Sequence, residues 1–197
     1  MAVAKEEEAQ TKRRPRVVAI GGGTGLSVLL RGLKHRDLDL TAIVTVADDG
    51  GSSGILREEL GMPPPGDIRN VIEALANAEP LLARVLSYRF SNGAGLRGHS
   101  LGNLILAAMR DITGDFVSGV RELSRVLAVR GRVLPAAGQA IVLKAEMEDG
   151  SVITGESAIP KAGGKIRRVF IEPRDVEPLS EAVEAIREAD AILAGPG

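Results

Sequence analysis

The chain of 197 residues has no cysteine and no tryptophan, and only one tyrosine. Without cysteine there are no disulfides, thiolate metal sites or cysteine nucleophile, which fits a reducing compartment and, with a polar N-terminus, a cytoplasmic protein. With aromatics at 2% but hydrophobic residues at 44%, the core must be built from Val, Leu, Ile and Ala, which favours α/β layering. No stretch approaches the roughly 20 apolar residues of a membrane helix, so no membrane insertion is expected. Twenty-five basic against 26 acidic side chains leave a net charge of -1, which gives no general attraction to nucleic acid.

What is present is organised around residues 16–28. Val17, Val18, Ala19 and Ile20 form an uncharged run suited to a strand buried on both faces of a parallel sheet. It stops at Gly21, Gly22, Gly23, Thr24 and Gly25. Glycine permits backbone conformations closed to other residues, and Thr24 or Ser27 can cap a helix beginning near Leu26. A strand, a glycine turn and a helix start together predict an anion site. The pattern fails the dinucleotide fingerprint at Leu26 and lacks a P-loop lysine, so a phosphate-containing ligand is expected without ATP hydrolysis.

Residues 40–47 read as a second parallel strand, ending at Asp48, Asp49, Gly50, Gly51, Ser52, Ser53 and Gly54 on the same sheet edge. Adjacent carboxylates at a strand end cannot point the same way, so one is assigned outward to a ligand and the other to anchoring the loop. The outward one would take ribose hydroxyls, or Mg²⁺ against a diphosphate. A short helix follows over 55–60. Prolines 63–65 and Gly66 lead into a helix over 71–86, with Asp67 placed as its cap and Arg69 and Asn70 facing a ligand. Residues 90–100 read as a mobile glycine-rich loop. His99, Gly102 and Asn103 then open an apolar helix over 104–109; His99 can be structural or functional.

Residues 116–129 carry a helical apolar stripe. An antiparallel hairpin follows over 141–157, turning at Asp149 and Gly150, then a short strand over 169–172 with Lys165, Arg167 and Arg168 at a solvated edge. A helix over 177–189 and a buried strand from Asp190 lead into Gly195, Pro196 and Gly197. The expected architecture is therefore α/β, a Rossmann-like three-layer parallel sheet with an antiparallel hairpin addition. Residues 1–15 are a polar tail and 16–197 one nucleotide-binding domain, expected to be incomplete because it ends on a strand and a fresh glycine turn.

Five motifs carry a resemblance: 21–25, 46–54, 64–70, 99–103 and 195–197. In this order they resemble the bacterial gluconeogenesis factor family, which is related to the phospholactate transferase of coenzyme F420 synthesis. The resemblance implies a Rossmann-like fold whose loops form one site. It implies binding of a UDP-sugar such as UDP-N-acetylglucosamine and a role in carbon metabolism, cell shape and wall synthesis. No cofactor is required on that reading; a homo-oligomer and protein partners in cell-wall synthesis are expected. The transferase branch implies instead a phospholactyl-type group passed from a guanosine diphosphate donor to a deazaflavin, with a divalent metal on acidic residues such as Asp48 or Asp49. The 48–54 and 64–70 forms look closer to the first branch.

Overall fold

The computed structural model describes residues 13–195. Strand β1 (Arg16–Gly21) pairs in parallel with β2 (Asp39–Val44), Val17 opposite Leu40 and Gly21 opposite Val44. Helix α1 (Gly23–Leu33) joins them and buries Leu26 and Leu30, one turn apart. The parallel sheet has the order β3-β2-β1-β7, with β3 (Arg132–Pro135) and β7 (Ala191–Ala194) at its edges.

Between β2 and β3 run α2 (Gly51–Leu60), α3 (Gly66–Leu75), α4 (Pro80–Ser87), α5 (Leu101–Thr113) and α6 (Phe116–Val126). Strand alternation sorts the sheet residues between two cores. Val17, Ala19, Leu40, Ala42 and Val44 pack with Leu26, Leu30, Ile68, Ile72, Leu75, Leu106 and Val120 of the helices. Val18, Ile43 and Leu134 face the other way, against Ala182 and Ala185 of α7 (Ser180–Arg187). The sheet thus has helices on both faces, a three-layer α/β architecture. The antiparallel part is larger than a hairpin: β4 (Val142–Met147) pairs with β5 (Val152–Thr154) and also with β6 (Ile166–Glu172), giving three strands.

Several boundaries differ from expectation. α1 begins at Gly23, three residues before Leu26; its N-cap is Gly22 and no side chain caps it, Ser27 Oγ donating instead to Thr24 O at 2.8 Å. α2 begins at Gly51, so all of the glycine–serine stretch after Gly50 is its first turn. The helix expected over 71–86 is two helices, because Pro80 lacks an N–H and takes the first position of α4 after an extended Ala76. Residues 90–98 are a loop closed by hydrogen bonds, Phe90 N to His99 O at 3.0 Å and Gly98 N to Phe90 O at 2.8 Å. Of the N-terminal tail, residues 1–12 lie outside the described residues; Pro15 O accepts from Asp39 N at 3.0 Å and Arg13 pairs with Asp190 at 2.7 Å. Among the described residues no helix is long and apolar enough to cross a membrane.

Leu30 is fully buried between α1 and the sheet. Leu30→Ala is expected to cost about 2–5 kcal/mol of stability through lost transfer energy and the cavity left behind. A urea titration checks this: the midpoint should fall with little change in slope.

Candidate functional site

The parallel sheet reverses its strand order at β1, with β2 on one side and β7 on the other, and open α/β sheets bind ligands beyond the carboxyl ends at such a point. Here β1 runs into Gly21–Gly23 and β2 into Thr45–Asp48. The N-termini of α1, α2, α3 and α5 open around a cavity of about 410 Å³. Thr24, Asp48, Gly50, Gly51, Ser52 and Ser53 line one part; Gly66, Asp67, Arg69, Asn70 and Asn103 line the rest, together with Arg89. Four helix N-termini each carry partial positive charge, so the field there favours anions.

Asp67 does not cap α3. That N-cap is Pro65, with no side-chain bond, and Asp67 in the first turn reaches instead to the glycine turn. A Cβ on Gly23 would lie 2.3 Å from Asp67 Oδ1 and 2.9 Å from Asn70 Nδ2; one on Gly22 would lie 3.3 Å from Asp67 Oδ2. Thr45 Oγ1 donates to Asp67 Oδ2 at 3.4 Å. None of the glycines at 21, 22, 23 and 25 has a positive φ. Contrary to expectation, these residues are not needed for unusual backbone angles; Gly22 and Gly23 make room for α3. Burial raises the Asp67 pKa, the Gly23 amide opposes that, and repulsion from Asp48 adds to it.

The adjacent carboxylates diverge. Asp48 lines the cavity, its Oδ1 accepting from Gly50 N at 2.9 Å. Asp49 Oδ1 accepts from Ser157 N at 2.9 Å and so ties α2's lead-in to the loop after β5. That loop brings in Glu156, which the sequence reading missed; its carboxyl is pushed up, first by desolvation and then by repulsion from Asp67, Asp48 and Asp49. Among the described residues no three His, Asp or Glu side chains form a metal cage. Mg²⁺ typically takes only one or two protein carboxylates plus phosphate oxygens, a demand that Asp48 with a bound diphosphate fits.

Opposite these acids, Arg69 is held on three sides: Nε donates to Asn103 Oδ1 at 3.1 Å, Nη1 to Glu73 at 3.1 Å and Nη2 to Asn70 Oδ1 at 2.5 Å. Asn103 Nδ2 donates to Ser52 Oγ at 3.1 Å, and Ser52 Oγ shares a hydrogen bond of 3.0 Å with His99 Nδ1. His99 is buried at 6% exposure and supports this network from behind rather than lining the cavity. Gly102 is required where Arg69 crosses α5, since a Cβ would lie 2.6 Å from Arg69 Cδ. Arg89 was also missed; it stands just after α4, where an exposed arginine gives no sequence signal. Gly195, with φ +78°, donates its N–H to Ile20 O at 2.8 Å beside the glycine turn. Pro196 and Gly197 lie outside the described residues.

A second cavity, about 380 Å³, lies at the amino end of the sheet and holds none of these residues. Its Lys34 donates to Ala76 O at 3.1 Å, an arrangement that satisfies a carbonyl at the C-terminal end of α3.

The sequence profile described as 2-phospho-L-lactate transferase CofD matches residues 17–197. The chain is 63% identical over 94% of its length to a gluconeogenesis factor of Halalkalibacterium halodurans and 62% identical over 94% to one of Bacillus subtilis. It spans 58% of the length of each. A crystal structure of a Bacillus halodurans protein superposes with a TM-score of 0.92 at 63% identity, covering 94% of this chain and 60% of that one.

Asp67 gives a pH signature. Its folded pKa is raised, so its contribution to stability is fully present below the unfolded value and is lost as pH rises through the folded one. Asp67→Asn removes that loss. The variant is expected to melt above the parent at pH 7, with the gap narrowing towards pH 4, as calorimetric scans across that range would read.

Proposed function

The chain belongs to the family described as 2-phospho-L-lactate transferase CofD, and we propose that within it this protein is a cytoplasmic nucleotide-sugar-binding regulator. The ligand class is a UDP-sugar such as UDP-N-acetylglucosamine. The role follows the gluconeogenesis factors it resembles: control of carbon metabolism, cell shape and wall synthesis, through protein partners and as a homo-oligomer. The observation that carries the reading is the polar cavity at the strand-order reversal, ringed by helix N-termini and about 410 Å³ in volume. That size falls within the roughly 300–1,000 Å³ of small-molecule sites. Asp48 is the group for ribose hydroxyls, Asn70 flanks the diphosphate, and Arg69 supplies charge. His99 serves by fixing Ser52 and Asn103 rather than by touching the ligand.

A second reading, transfer of a phospholactyl-type group to a deazaflavin, is favoured by the family match and by Asp48 and Asp67 lining one cavity, with Glu156 near enough to be repelled by both. Asp48 would then hold Mg²⁺ against the donor diphosphate, and the ion would stabilise charge on the leaving phosphate.

Titration calorimetry separates the two. UDP-N-acetylglucosamine is expected to bind with an affinity indifferent to Mg²⁺, and more tightly than GDP. Preference for GDP that requires Mg²⁺, together with product formation on a deazaflavin, would replace the regulator by the transferase.

A further inference from the structure

The helix start after β1 is the obvious place for a phosphate, yet in this protein a carboxylate already stands there. Asp67 Oδ1 lies against Gly23, and Asp48 is close enough to repel it. A phosphate seated on that turn would face two carboxylates at short range, where like charges oppose each other strongly. Two cations line the same cavity. Arg69 and Arg89 both line it, and Arg89 is close enough that its charge depresses the Arg69 pKa, behind burial as the leading cause.

We propose that Arg69 and Arg89 form an anion subsite for a phosphate group of the ligand, separate from the glycine turn. Arg69 is pre-organised for this. Three of its five N–H groups are committed to Asn103, Glu73 and Asn70, which fixes the guanidinium plane and leaves two N–H groups for a ligand. Asn103 is itself fixed by the buried Ser52, which is held in turn by His99. Arg89 is held by one bond from Nη1 to Gly98 O and by a backbone bridge between residue 89 and Ser100. Its other donors remain for an oxygen. Two guanidiniums that repel each other are brought together at a cost, and a phosphate between them converts repulsion into paired, forked hydrogen bonds. Glu73 balances part of the Arg69 charge on its outer side. No bond is made or broken; the step is binding only.

The proposal rests on the reading of a phosphate-bearing ligand, but its test does not depend on which nucleoside that ligand carries. Inorganic pyrophosphate and UDP-N-acetylglucosamine are titrated into the parent protein, into Arg89→Gln and, as a control, into Arg97→Gln, an exposed arginine outside the cavity. Arg89→Gln is expected to weaken pyrophosphate binding roughly tenfold, the loss of one charge-assisted contact, and to flatten its salt dependence. Arg97→Gln is expected to change neither. Melting curves show that each variant is folded. Pyrophosphate binding that is absent in the parent, or equal in parent and Arg89→Gln, overturns the subsite. Pyrophosphate binding that falls in Arg89→Gln while no UDP-sugar binds upholds the subsite and removes the UDP-sugar reading. UDP-sugar binding that is equal in both leaves that reading standing and removes the subsite.

Discussion

The contact between Asp67 and Gly23 sets the geometry on which the site depends. Residue 23 has no room for a Cβ because the first turn of α3 lies directly on the first turn of α1. That contact fixes where α3 begins, and hence where Arg69 and Asn70 project. The same device recurs twice. Gly66 leaves room for Ser53, whose Oγ would lie 2.3 Å from a Cβ there, and Gly102 leaves room for Arg69. Four helix starts, those of α1, α2, α3 and α5, are thus packed together through three missing side chains, and each gap is filled by a polar residue of a neighbouring element. A methyl group at any of them would separate helices, not merely crowd a loop.

Such packing concentrates charge. The helix N-termini supply positive potential, which stabilises Asp48 and Asp67 close to one another in partly buried surroundings, although burial still raises the Asp67 pKa. The cavity is therefore divided: carboxylates lie near the ends of β1 and β2, and guanidiniums lie near the starts of α3 and α5. A ligand with both hydroxyl and phosphate groups matches that division, with hydroxyls donating to the carboxylates and phosphate accepting from the arginines. The buried chain from His99 through Ser52 and Asn103 to Arg69 keeps the two halves in register, since Ser52 belongs to the α2 start and Arg69 to α3.

Much of this frame was legible in the sequence. The runs at 17–20 and 40–47 are largely apolar and bounded by glycine or charge, which identifies buried parallel strands, although the second ends earlier, at Val44; residues 48–54 and 66–70 fall at the sheet edge that the strand directions dictate. Other features were not legible, for reasons that are physical. β3 has only Val133 and Leu134 as apolar signal before Pro135, too short a run to separate from a loop. The break before Pro80 was open to reading, but the apolar stripe on either side obscured it. The purpose of Gly22 and Gly23 depends on a contact with residues more than 40 positions away, so a glycine-rich turn read locally implies backbone freedom where the structure requires space. Glu156 and Arg89 reach the site only through the docking of an antiparallel sheet and a loop, and no spacing rule links either to the glycine turn.

The family match over residues 17–197 establishes the relationship, but a shared fold does not decide between holding a nucleotide and transferring part of it. The physical distinction lies in which groups neutralise the ligand's phosphates. Where arginines contact only oxygens that take no part in bond breaking, the phosphates are held equally well throughout, which lowers the free energy of the bound state without lowering the barrier. Neutralised by a divalent ion on Asp48, charge is stabilised on the leaving oxygen where it develops during transfer. Arg69, with three of its donors already committed, is built for the first role. Asp48, with one oxygen on Gly50 and the other turned towards Gly66, retains the chemistry for the second. On the proposed reading, the position that a bound diphosphate takes between these two groups would decide between holding it and transferring part of it.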